Sequence, residues 1–219
     1  MKKSILSMLS LAAVSTLSGC ANGPMSNDLS VLDNSQIENT VKIFSGVPLF
    51  LGMEGSAARL NEDWMVTAAH NWPILATTGK WNFHKHPSCD IMLYKSKGEN
   101  TVPVGTAFVG ETVTAVGYPM AAQPMAANQG VIVGNINMEE YPDCISVATT
   151  STISVGMSGG GVYNHKGELI GVVSMFTNVE AHWEDGRYLS SGGVYVHLKT
   201  VKDWIKEVTG EDFFNENAQ

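Results

Sequence analysis

Apolar and polar positions alternate along this chain in short stretches, each closed by a turn-forming residue. Val41-Lys42-Ile43-Phe44, Thr112-Val113-Thr114-Ala115-Val116, Gly130-Val131-Ile132-Val133 and Leu169-Ile170-Gly171-Val172-Val173 read as strands between Gly, Pro and Asn breaks. His165-Lys166-Gly167, between Val162-Tyr163 and Leu169-Ile170, predicts a hairpin connection. One segment has helical spacing. Val201, Trp204, Ile205 and Val208 fall on one helical face, with Gly210 as the stop. The pattern predicts one β-rich unit over roughly residues 40–210, without repeats or coiled coil.

The N-terminus reads differently. Met1-Lys2-Lys3-Ser4 is basic, and the apolar run Ile5 to Leu17 is too short for a comfortable membrane span, so it reads as a signal-peptide core. Leu17-Ser18-Gly19-Cys20 resembles a bacterial lipobox, which implies removal of residues 1–19 and lipidation of Cys20. Several acyl chains on one cysteine anchor stably where one would not. Ala21 follows Cys20 where aspartate is the usual inner-membrane retention signal, so outer-membrane sorting toward the periplasm is expected in a Gram-negative host. Residues 20–39 are polar and read as a tether. Removing residues 1–19 takes away Lys2 and Lys3 and no acid, so the formal net charge goes from −8 to −10. An acidic chain of this kind has no electrostatic footprint for nucleic acid. Anionic headgroups would repel it too, leaving the lipid on Cys20 to hold it at the bilayer.

Three distant stretches carry the chemistry. Trp64-Met65-Val66-Thr67-Ala68-Ala69-His70 ends in a histidine, and Pro87-Ser88-Cys89-Asp90-Ile91-Met92-Leu93 places an aspartate before an apolar run. Gly156-Met157-Ser158-Gly159-Gly160-Gly161-Val162 sets a serine among glycines. A serine hydroxyl becomes a nucleophile when a neutral imidazole can take its proton. That imidazole needs a buried carboxylate to fix its tautomer and steady the imidazolium. His70 is the expected base, Asp90 its partner and Ser158 the nucleophile. The glycines let the amides of Gly156 and Ser158 converge on a developing oxyanion.

The order His, Asp, Ser resembles the trypsin/chymotrypsin-like serine peptidases, in their bacterial, disulfide-poor branch. Gly55-Ser56-Ala57 before Trp64, Val109 to Pro119, and Gly192-Gly193-Val194-Tyr195-Val196 followed by Trp204-Ile205 carry the likeness along the rest of the domain. The resemblance implies an all-β chymotrypsin-like fold: two antiparallel β-barrels, about 40–100 and 101–198, a C-terminal helix at about 199–209 and a tail at 211–219. The site lies in the crevice between the barrels. It implies a monomeric serine endopeptidase acting on peptides or proteins, with no cofactor and no metal. By family position Thr152 lies at the base of the substrate pocket, Ser174-Met175-Phe176 form its wall strand, and Gly193 faces them. Neither Thr152 nor Val173 offers a countercharge, so an uncharged residue before the scissile bond is expected.

Some residues depart from the pattern. Met157 stands where trypsin-type zymogens place an aspartate, and no Ile-Val-Gly-Gly sequence occurs near residue 40, so activation by N-terminal cleavage is not expected. Gly161 replaces the usual proline. His70 and Asp90 are only 20 residues apart, which demands a short connection. His84 and His86 alternate as same-face strand residues, but two imidazoles without a third ligand do not make a metal site. Cys89 and Cys144 remain once Cys20 carries lipid; spacing alone leaves their pairing open. Two other functions fit parts of the sequence. One is an esterase using Gly156-Met157-Ser158-Gly159-Gly160 as a nucleophile elbow, with Asp185 and His197 as partners. The other is a catalytically silent peptidase-like binding module at the cell envelope.

Overall fold

The computed structural model describes residues 21–47, 51–121 and 123–214. The signal segment and Cys20 lie outside the described residues. A helix, α1 (Asn34–Asn39), leads into β1 (Thr40–Val47), β2 (Leu51–Arg59) and β3 (Trp64–Thr67). A second helix, α2 (Trp72–Thr77), opened by Pro73 at its N-terminus, precedes β4 (Phe83–Lys85) and β5 (Met92–Lys95). These strands form one antiparallel sheet in the order β1-β2-β3-β5-β4. The 20 residues between His70 and Asp90 thus hold one short helix and one three-residue strand, which is how the connection stays short.

The second unit comprises β6 (Thr112–Gly117), β7 (Ala126–Met138), β8 (Tyr141–Thr149), β9 (Gly161–Asn164) and β10 (Leu169–Thr177). A small ribbon follows, β11 (Ala181–His182) with β12 (Tyr188–Leu189), and then β13 (Gly192–His197). β10-β13-β8-β7-β6-β9 close into a barrel, which leaves no free edge in this unit. α3 (Lys202–Thr209) ends at Gly210, whose φ of 80° gives the left-handed cap that glycine adopts without strain. The strands, hairpin and final helix expected from the hydrophobic pattern are therefore present.

The two units share one core. Ala58, Val66, Ile91 and Leu93 from the first pack with Val116, Leu169, Val172 and Val196 from the second, and Ile205 of α3 closes the cluster. Tyr163 of β9, fully buried, donates its hydroxyl proton to Asn39 Oδ1 (2.8 Å) and lies 2.8 Å from Thr40 Oγ1, tying the second barrel to the start of β1.

The polar stretch before β1 is not a tether where it is described. Asn22 N donates to Ile153 O (3.2 Å), and Asn22 Oδ1 accepts from Ile153 N (2.6 Å). Ser26 pairs with Asn128 and Ala127, and Met25 packs against the second barrel's core. Polar composition concealed this because the segment adds backbone and amide pairing to an existing barrel and needs no core of its own. The tail likewise folds back: Glu211 accepts from Asn61 Nδ2 (2.8 Å), and Phe213 and Phe214 rest on the shared core.

Candidate active site

β3 is buried along its whole length, and the chain leaves it at Ala68 into a single 3-10 turn, Ala69–Asn71. That turn lifts His70 half into solvent. Asp90 sits just before β5 and is 1% exposed. His70 Nδ1 lies 2.8 Å from Asp90 Oδ2, and His70 N donates to Asp90 Oδ1 (3.0 Å). Ser174 Oγ of β10 donates to Oδ2 (2.6 Å), and the Tyr141 hydroxyl at the start of β8 donates to Oδ1 (3.1 Å). Each carboxylate oxygen thus has two donors. Burial pushes the Asp90 carboxyl up, but the hydrogen bonds and charge of His70, with the Ser174 hydroxyl, outweigh it and hold it below the usual carboxylate range. Asp90 is therefore ionised at neutral pH and can support positive charge on His70.

Ser158 enters from the second barrel on the loop before β9. Its hydroxyl donates to Ser174 O (2.9 Å). Its carbonyl accepts from Asn71 Nδ2 (2.8 Å) and from Ser56 N (2.9 Å) of β2. Asn71 is the residue after His70, so one side chain links the histidine's turn to the serine's backbone. Ser56 Oγ donates to Gly156 O (2.9 Å) and accepts from Tyr118 N (2.8 Å), and Thr67 Oγ1 donates to Ser56 O (2.7 Å). Gly159 has φ of 90°, and a Cβ there would collide with Ser56 O and Thr67 Oγ1. Only glycine lets the serine loop come this close to the first barrel. Gly156 also has positive φ (93°), beneath the backbone of Tyr118 and Met120. Among the described residues no acceptor takes the amide of Gly156 or Ser158, so both donors remain for a ligand's oxygen. Met157, with no exposed surface, packs with Ile153, Ile170 and Val173 and anchors the loop by apolar contact rather than by an ion pair.

The pocket residues come together only in part. Phe176 pairs with Gly193 across β10 and β13, and Met175 and Phe176 line a cavity of about 460 Å³ with Met138, Glu139, Glu140 and Val179. Thr152 is turned elsewhere: its hydroxyl faces Gly23 of the N-terminal segment, so it is not the floor of that cavity. Ser174 has its side chain on Asp90 and its carbonyl on Ser158, so it links the two candidate residues and does not line the cavity.

The esterase arrangement is not formed, because Ser158 is followed by Gly159, Gly160 and strand β9 and not by a helix. Asp185 is bound by Arg187, and His197 Nδ1 accepts from Lys199 N (3.0 Å). His84 packs edge-on against Trp64, while His86 Nδ1 accepts the amides of Ser88 (3.1 Å) and Cys89 (2.9 Å) and so shapes the loop leading to Asp90. Cys89 and Cys144 are joined, S–S 2.01 Å, linking the residue before Asp90 to β8 of the other barrel. Reading the sequence missed Ser56, Asn71 and Tyr141. Asn71 at least follows His70 directly, whereas Tyr141 carries no local signal.

A family model for the trypsin-like peptidase domain matches residues 76–172, a span that holds Asp90 and Ser158 and begins after His70. No curated protein matches the chain. Among solved structures, Rv3671c protease from M. tuberculosis in its active form superposes with a TM-score of 0.60 at 17% identity, covering 84% of this chain and 88% of that one. The HtrA-type protease AlgW with tripeptide gives 0.59 at 16%, covering 80% of this chain and 62% of that one. Deg5 gives 0.52 at 19%, covering 74% and 85%. The chain thus spans less than two thirds of the AlgW structure, and at these identities the likeness speaks for the fold. Residues 76–172 thus match a trypsin-like peptidase domain, and the fold as a whole is similar to that of these proteases.

Proposed function

We propose that this chain is a serine endopeptidase in which Ser158 attacks the scissile carbonyl, His70 takes and returns the proton, and Asp90 orients the imidazole. The observation that carries this reading is the Asp90–His70 pair at 2.8 Å, coupled by Asn71 to the Ser158 carbonyl. Before attack the Ser158 hydroxyl turns from Ser174 O to Nε2 of His70. The amides of Gly156 and Ser158 then hold the oxyanion of the tetrahedral intermediate. Collapse expels the amine, which takes its proton from His70 and leaves an acyl-enzyme on Ser158. Water, activated by the same imidazole, hydrolyses the ester and restores the serine.

The residue before the cut is proposed to be uncharged, because Thr152 faces Gly23 and Val173 is wholly buried in apolar surroundings. The neighbouring cavity, with Glu139, Glu140 and Glu180 in its lining, disfavours acidic side chains farther along the peptide. Met157 in the core supports an enzyme active without zymogen cleavage. Lipidation at Cys20 is proposed from the sequence. It would hold a monomeric domain at the envelope, on the outer membrane facing the periplasm in a Gram-negative host.

Digestion of a mixed peptide library, read by mass spectrometry, tests the reaction and the preference together. Cuts after uncharged residues that vanish in Ser158→Ala are expected; predominant cleavage after Lys, Arg or Glu would overturn the pocket reading. Wild type should incorporate radiolabelled palmitate and Cys20→Ala should not.

A further inference from the structure

Asp90 lies on the first barrel, yet two of the four donors to its carboxylate come from the second. One is Ser174 on β10. The other is Tyr141, which reaches across from the turn between β7 and β8. The ladder slips there: Asn137 pairs with Ile145, but Met138 pairs with Tyr141, so residues 142–144 stand out of register with β7. Such a bulge re-aims the side chains beside it. Here Tyr141 reaches Asp90 Oδ1 and Cys144 bonds to Cys89, the residue before Asp90. One short break in a strand thus delivers a hydroxyl and a covalent bond to adjacent residues of the opposite barrel.

Building on the proposed triad, we propose that Tyr141 is a positioning residue that acts through Asp90, held in place by the Cys89–Cys144 disulfide. The argument is electrostatic and geometric. A buried carboxylate that loses a donor keeps more of its negative charge unshared and pulls harder on its remaining partners. For Asp90 those are His70 Nδ1, His70 N and Ser174 Oγ. The other charged group acting on Tyr141 is Glu140, its neighbour in the turn. Burial, then the charge and hydrogen bond of Asp90, push the Tyr141 hydroxyl well above the ordinary phenol range, so it stays protonated and remains a donor throughout the working pH range. Tyr141 also holds Oδ1 against rotation, keeping Oδ2 aligned with the imidazole.

Tyr141→Phe removes one oxygen and keeps the ring. Labelling of Ser158 by a fluorophosphonate should slow about five-fold, the rate equivalent of one ordinary hydrogen bond. The acid limb of its pH profile should move up by about half a unit, as expected when the histidine's carboxylate partner shares less of its charge. The Nδ1–H proton resonance of His70 should move downfield by NMR. A tyrosine that merely fills space would leave both the limb and the resonance in place, and superimposable wild-type and Tyr141→Phe traces would overturn the proposal. If wild type takes no label, the hydrolase reading fails, while the resonance still decides whether Tyr141 acts on Asp90. The paired variant Cys89→Ala with Cys144→Ala should slow labelling to the same rate, and adding Tyr141→Phe to it should slow it no further. Independent, multiplying losses would show that the disulfide does not hold Tyr141.

Discussion

Two seams join the barrels on either side of the crevice, and they are built on opposite principles. The seam at Asp90 is covalent: Cys89–Cys144 crosses it, and Tyr141 and Ser174 add hydroxyl donors from two different strands. Among the described residues the seam at Ser158 has no covalent link. It depends on Ser56 and Asn71 gripping the backbone of the serine loop, with Thr67 bracing both of them from behind, and on Gly159 leaving no side chain in the way. The first can lose one donor and keep its partners close. The second has no slack, because its closeness is set by backbone atoms that cannot move aside. In the proposed reaction, the group that orients is fastened, while the proposed nucleophile is seated in a close-fitting loop whose Gly156 and Ser158 amides find no acceptor among the described residues.

The sharpest way to break this comparison is Gly159→Ala. The added Cβ meets backbone on the other barrel and the φ of 90° is strained for alanine, so the loop must move. Phosphonate labelling should fall by two orders of magnitude or more, as when an oxyanion donor is lost. Labelling near wild type would show that this seam has room after all.

Loss of the disulfide should act on stability more than on chemistry. It links residues 55 apart, so its removal should cost up to about 4 kcal/mol in urea unfolding. The folded remainder should still label. Labelling as weak as that of Gly159→Ala would erase the distinction between the seams.

Acid should loosen the fold through two neutral imidazoles. His197 is held at about 4 by burial and by Lys199, and burial also lowers His86, whose Nδ1 accepts the amides of Ser88 and Cys89. A histidine with a depressed folded-state pKa binds fewer protons folded than unfolded. Its contribution is whole above about pH 6.5 and is lost as pH falls. For His197 the loss should reach about 3 kcal/mol by pH 4. A variant such as His197→Gln should flatten the decline between pH 6.5 and 4 in denaturant titrations; an unchanged slope would contradict the assignment.

The smallest expected effect is at the N-terminus. Asn22→Ala removes the side-chain acceptor for Ile153 N and should cost about 1 kcal/mol. A chain beginning at Ile37 should be less stable than one beginning at Asn22. Equal stability would return residues 22–36 to the role of a tether.

The sequence was most legible where chemistry constrains residue type and order. His70, Asp90 and Ser158 stood out because nucleophilic catalysis requires that trio, and the glycines because the loop needs their torsions. Strand periodicity showed a β-rich unit, the resemblance implied two barrels, and spacing showed α3. What did not show were groups recruited across distance. Tyr141 is an ordinary strand-end aromatic until the ladder slip aims it at Asp90. Ser56 and Asn71 act through backbone atoms of a loop that lies 100 and 87 positions away, respectively. Residues 22–39 looked like a tether because pairing with an existing barrel leaves no apolar signature. Thr152 was placed by family position, which cannot foresee that Gly23 would cover it.

Whether Ser158 is an activated nucleophile can be measured without knowing the substrate. The purified domain, residues 22–219, is treated with a fluorophosphonate near neutral pH and the labelled peptide is located by mass spectrometry. Label on Ser158, lost in Ser158→Ala and in His70→Ala while both variants keep the wild-type fold by circular dichroism, is the expected result. Undiminished label in either variant, or none on the folded wild type, would contradict the assignment of His70 and Ser158 to a working hydrolytic site.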